Sequence, residues 1–222
     1  MTTLKAVVEG RRTCPGSHLV RVWTPLAFAV WLAASFGFVP SRVLAQPTRS
    51  DTSRPVAPGE SFPGPLINVR APASAGWRLT QSAAEGMTFG RRDPTTGNTH
   101  IAQVMAFPLP PFNTPQELLS IVRAGAEKDT PPDRFKGFEA NNYQLTTERP
   151  YPCVRSRGTL EDLKARTPQG IVPLPLHVRS LHCQHPTKRS LGLLIGYSQR
   201  GGRPDPDLDS QAQSFIDGVQ VP

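Results

Sequence analysis

Two cysteines, three histidines and three arginines are the residues whose types and spacing could do chemistry, and all eight lie between Pro152 and Arg200. Cys153 and Cys183 stand thirty residues apart. Redox pairs sit as C-x-x-C with a lowered thiol pKa, so this spacing favours a structural disulfide over a redox or metal-ligating pair. His177, His182 and His185 with Cys183 form the densest set of potential metal ligands. Zinc needs three or four such groups converging at about 2.0–2.3 Å. Strand alternation puts His177 and Cys183 on one face and His182 on the other, and a disulfide removes Cys183. What remains is a surface site on His182 and His185, a weak metal candidate. Arg155 and Arg157 share the face of Cys153, and Arg179 shares that of Cys183, so a bridge would gather them into an anion or partner patch. The bland alternative pairs them with Glu148, Glu161 or Asp162.

Other chemistries fail on their spacing. Gly196-Tyr197-Ser198-Gln199-Arg200 approaches the nucleophile elbow G-x-S-x-G, but Arg200 replaces the last glycine and every histidine precedes Ser198. Adjacent Glu161 and Asp162 face opposite ways on a strand, which removes them as an acid/base pair. No Gly-rich phosphate loop or H-E-x-x-H is present, and no cofactor is expected.

The compartment decides the cysteines. Lys5, Arg11, Arg12 and Arg21 precede an uncharged apolar run from Leu26 to Val39, then Val43-Leu44-Ala45. Residues 1–45 therefore read as a signal peptide, with Ala45 before the cleavage point. The run is short of the roughly 20 apolar residues that span a bilayer. An uncleaved signal anchor is the alternative, and the membrane attachment the sequence would allow. Thr13-Cys14-Pro15 after Arg11-Arg12 spoils a twin-arginine signal, and Gln46 is not a lipoprotein cysteine. Cys14 leaves with the signal, and Cys153 and Cys183 then enter an oxidising compartment, periplasmic or extracellular.

Net charge is +8, yet five of the 25 Lys and Arg and one of the 17 Asp and Glu fall in residues 1–45. The remainder carries only +4, with both signs interspersed, unlike the basic stripe of a nucleic-acid binder. Residues 46–66, rich in Pro, Ser, Arg and Gly, read as a disordered linker. Residues 67–222 read as a single domain.

Strands are expected at 77–80, at 87–91 and from His100 to Phe107, the last two closing a hairpin on the turn 93–98. Thr114-Pro115-Gln116-Glu117 marks a helix start with a capping box, and Leu118, Ile121 and Val122 give its apolar face. Phe135 and Phe138 are read as covering one end of the core. A strand at 143–148 precedes the three between Pro152 and Arg200. In the last, Leu191, Leu193, Ile195 and Tyr197 face one way. Gly192, Leu194, Gly196 and Ser198 face the other, which leaves room for a helix. The closing helix, started by Asp205-Pro206-Asp207 and striped by Leu208, Ala212, Phe215, Ile216 and Val219, is expected there.

The sum is an α+β domain: an antiparallel sheet of about seven strands packed by two helices, preceded by a signal segment and a disordered linker. The element order over residues 77–220, with its closing helix, resembles the PsbP-like α/β sandwich of exported and lumenal accessory proteins. The chain also resembles small exported proteobacterial proteins of unknown function, which implies a compartment and no activity. The expected role is an exported, non-catalytic domain that binds an envelope or extracellular protein partner or an envelope component, without nucleic acid. The alternatives are metal binding through His177, His182 and His185, or an enzyme whose site is not visible in sequence.

Overall fold

The computed structural model describes residues 53–222, so the expected signal peptide, 1–45, and the start of the expected linker lie outside the described residues. The elements are β1 (Arg54–Pro55), β2 (Ser61–Phe62), β3 (Asn68–Arg70), β4 (Arg78–Ala83), β5 (Gly86–Arg92), β6 (Thr99–Pro108), α1 (Pro115–Lys128), β7 (Phe135–Lys136), a 3-10 turn (Phe138–Ala140), β8 (Asn142–Thr146), β9 (Cys153–Thr167), β10 (Gly170–Gln184), β11 (Leu191–Arg200), α2 (Leu208–Asp217) and β12 (Val219–Gln220). Nine strands form one sheet in the order β1-β4-β5-β6-β11-β10-β9-β7, with β8 also on the outer edge of β9. A second sheet runs β12-β3-β2. The expectation of about seven strands in one sheet is therefore corrected, while the α+β class stands. The extra strands are two or three residues long, too short to show a period of two.

The linker reading of 46–66 is corrected over its described part. β1 pairs with β4 as the edge strand of the sheet, Arg54 opposite Leu79 and Pro55 opposite Arg78. Proline is tolerated there because an edge strand can do without one donor. Val56 is buried, and its N–H donates to the Trp77 carbonyl at 3.1 Å. The Phe62 ring meets Phe89 edge-on at 5.4 Å. Apolar residues this sparse carry no periodicity, and they order because a finished sheet edge and core receive them.

One face of the large sheet holds the main core. Leu79, Phe89, Ala102, Val104, Leu181, Leu193, Ile195 and Tyr197 pack against Leu208, Ala212, Phe215 and Ile216 of α2. The closing helix thus lies on the face of large residues in β11, contrary to the expectation that it would use Gly192 and Gly196. That helix begins at Leu208, two residues beyond Pro206, with Asp207 at its N-cap. Asp205 serves the turn instead, accepting from the Asp207 N–H at 2.9 Å and from Gln211 Nε2 at 3.1 Å. Tyr197 fixes the docking: its hydroxyl donates to Gln211 Oε1 at 2.7 Å.

The opposite face receives α1. Leu118 and Val122 pack on Val154 and Leu109, joined by Phe107, Phe112 and Tyr143. Its start follows the sequence: Thr114 Oγ1 accepts from the Glu117 N–H at 3.2 Å. The Glu117 carboxylate reaches past the cap to the Asn113 N–H at 2.8 Å. In the sheet, α1 packs chiefly on β8 and β9, which leaves the middle of this face open.

Candidate functional site

The uncovered middle is a cleft of about 450 Å³ between the sheet, the C-terminal end of α1 and the segment around Phe135 and Asn141. Strand register sets its floor in transverse rows. One row runs Gln103 on β6, Gly196 on β11, Ser180 on β10, Ser156 on β9 and Tyr143 on β8. Apart from the glycine, each side chain in it can hydrogen-bond without carrying charge. The flanking rows are largely apolar: Met105, Leu194, His182 and Val154 on one side, Ile101, Ser198, Val178 and Gly158 on the other. Gly196 sits at the middle of the polar row. A β-carbon there would meet Gln103 Cγ at 3.5 Å, ordinary van der Waals contact, so the glycine opens space without being required by the backbone. Gly192, on the same face, differs: the Phe107 ring fills its place at 2.3 Å from a would-be β-carbon.

Within the row, Ser156 Oγ and Ser180 Oγ share a hydrogen bond of 2.6 Å. Ser180 Oγ lies 2.9 Å from His182 Nε2. Burial lowers the His182 pKa to about 4, because the charged imidazolium would lose its hydration. At neutral pH the ring is therefore uncharged and a poor general base. Both serines sit in mid-strand and are buried, and no carboxylate is bonded to His182 among the described residues. A serine nucleophile needs an activated base and an exposed hydroxyl. This cluster is built to hydrogen-bond.

Two charged residues line the cleft, Asp129 and Arg200, and Arg200 is paired. Arg200 Nη2 lies 2.9 Å from Asp162 Oδ2, whose carboxylate is fully buried. Arg134 Nε reaches the other oxygen at 3.3 Å. Burial pushes the Asp162 pKa up, but the Arg134 hydrogen bond, the Lys164 N–H and the Arg200 charge outweigh it and hold the carboxyl below its ordinary value. Asp162 thus belongs to this face and pairs with none of the three arginines singled out in the sequence.

Those arginines do gather. Register brings Arg155 opposite Leu181 and Arg157 opposite Arg179, all on the face of the disulfide, with His177 opposite Thr159. They are also taken. Arg155 Nε donates to Glu148 at 3.0 Å and its Nη2 to Gln213 Oε1 at 2.9 Å. Arg157 and Arg179 both hold Asp209 of α2, and the Arg179 hydrogen bond leads in lowering the Asp209 pKa. The sequence had Glu148 as a partner, while Asp209 waits on the packing of α2.

Cys153 and Cys183 are directly opposed on β9 and β10 and joined as a disulfide. His182 and His185 have different partners: His182 Nε2 meets Ser180, while His185 Nδ1 accepts from the Lys188 N–H at 3.2 Å. His177 Nδ1 contacts Thr159 Oγ1 at 2.9 Å on the opposite face. Among the described residues no three His, Cys, Asp or Glu side chains converge as metal ligands, and no helix is long and apolar enough to cross a membrane.

Gln103, Tyr143, Ser156, Ser180 and Gly196 were missing from the chemistry-bearing set drawn from sequence. A signal existed in the repeated Val-Arg-Ser at 154–156 and 178–180, whose serines the antiparallel register places face to face.

No protein-family model matches the chain, and no curated protein matches it. Among solved structures it is similar to LpqN, involved in cell envelope biogenesis of Mycobacterium tuberculosis, at 17% identity over 76% of this chain and 90% of that one, with TM-score 0.42. It is also similar to the Saccharomyces cerevisiae Ran-binding protein Mog1p, at 12% identity over 78% and 96% of the two chains, TM-score 0.41. Likeness at this level carries no argument about function.

Proposed function

We propose that this chain is an exported, non-catalytic binding domain, periplasmic or secreted, that holds an envelope component in the cleft beside α1. The observation that carries the reading is the cleft floor: an uncharged hydrogen-bonding row set between apolar rows, in a cleft of about 450 Å³. Small-molecule sites have this character, apolar walls with a few placed polar groups and volumes of roughly 300–1,000 Å³. Export is supported by residues 1–45, read as a signal peptide cleaved after Ala45, and by the Cys153–Cys183 disulfide. The resemblance of the element order to the PsbP-like sandwich fits an accessory role.

Native mass spectrometry of the exported protein, mixed with an extract of its own envelope, tests the reading. A bound mass is expected on the wild-type protein and absent from Gly196→Leu, which fills the cleft. A wild-type protein that emerges without added mass, or a Gly196→Leu variant that retains it, contradicts binding at this cleft. An N-terminal peptide beginning before Gln46 contradicts cleavage.

A further inference from the structure

The charge distribution around the cleft narrows what it holds. Beside the neutral His182, its charged lining residues are Arg200 and Asp129. Arg200 is committed to the buried Asp162, which also takes Arg134. Arg134, Arg200, Asp162 and Asp129 together sum to zero. An anionic head would have to compete with Asp162 for Arg200, and a cationic head would find only Asp129, where α1 ends. Moving a charge out of water without a partner costs far more than moving a hydroxyl that gains hydrogen bonds. The polar row offers such bonds: the Gln103 amide, the Ser180 and Ser156 hydroxyls and Tyr143, around the gap left by Gly196. Beside it, Ile101 and Val178 flank Ser198, and beyond them Leu176 and Leu160 lie in the row of the paired Arg200.

Resting on the cleft reading above, we infer that the ligand is an uncharged amphiphile whose hydroxyl-bearing head lies on the Gln103–Ser180–Ser156 row and whose apolar chain lies along Ile101 and Val178.

Isothermal titration calorimetry of the exported, oxidised protein tests this with three probes of equal chain length, each below its micellar concentration. They are 1-decanoylglycerol, decanoate and decyltrimethylammonium. Decanoylglycerol is expected to bind one to one, with both charged probes weaker by at least about tenfold. Ser180→Ala should weaken decanoylglycerol by roughly fivefold. Gly196→Leu and, as a second filling variant, Leu194→Trp should abolish binding while keeping the wild-type circular dichroism. A charged probe binding as tightly as decanoylglycerol, yet blocked by the filling variants, overturns the uncharged head and leaves the cleft reading standing. Binding that survives both filling variants overturns both. Failure of all three probes overturns the amphiphile, and the envelope extract then judges the cleft alone.

Discussion

Three side chains show how single residues balance this fold. Ser180 lies between Ser156 and His182, so Ser180→Ala strands two polar partners and should cost about 1–2 kcal/mol in urea denaturation. Tyr197→Phe removes the hydroxyl that donates to Gln211 and should cost a similar amount, about 1–2 kcal/mol, with loosened protection of α2 in hydrogen exchange. His182 sets an acid limit. Its folded pKa is lowered to about 4 by burial, so the unfolded chain binds the proton first, near the ordinary histidine value of about 6.5. Stability from this group is full above about pH 6.5 and is lost as the pH falls towards 4. His100 and His177 are lowered too, each chiefly by burial, and act with the same sign. A pH series of urea midpoints should therefore fall across this window, less steeply in His182→Gln. A flat profile in the wild-type protein would contradict a neutral buried His182.

At the scale of elements, the disulfide and the N-terminal edge make separate predictions. Cys153→Ser with Cys183→Ser opens a loop of about thirty residues and should lower stability by roughly 3 kcal/mol, measured against the wild type without reductant. A chain starting at Ile67 loses β1, β2 and the buried Val56 and should melt lower by several degrees. Equal melting would return residues 53–66 to the status of a linker. The sequence made the hairpin of β5 and β6, the cap of α1 and the three long strands legible, because each has many residues in phase or a turn with few conformations. Gly97, at φ +73°, is such a turn residue. It hid β1, β2 and β12, which have no period, and it misled on α2. Small residues in β11 looked like a helix seat, but Leu193, Ile195 and Tyr197 bury more apolar area, and the helix follows the area. The arginine patch was legible as a cluster and misleading as a site, since Asp209 reaches it only when α2 docks.

For the whole molecule, the two faces of the large sheet divide the work. The α2 face is closed by the main core, and its arginines are paired with Asp209 and Glu148. The α1 face is half covered, and its polar row borders the cleft. A binding domain of this design would meet its ligand on the second face, with the disulfide holding β9 and β10 in register beneath. Amide chemical-shift mapping of the isotope-labelled, oxidised protein during titration with envelope extract asks which face responds. Shifts are expected at Gln103, Ser156, Ser180, Gly196 and Ser198, with Arg155, Arg157 and Asp209 unmoved; shifts confined to those arginines and α2, or none on either face, would contradict ligand binding in the cleft.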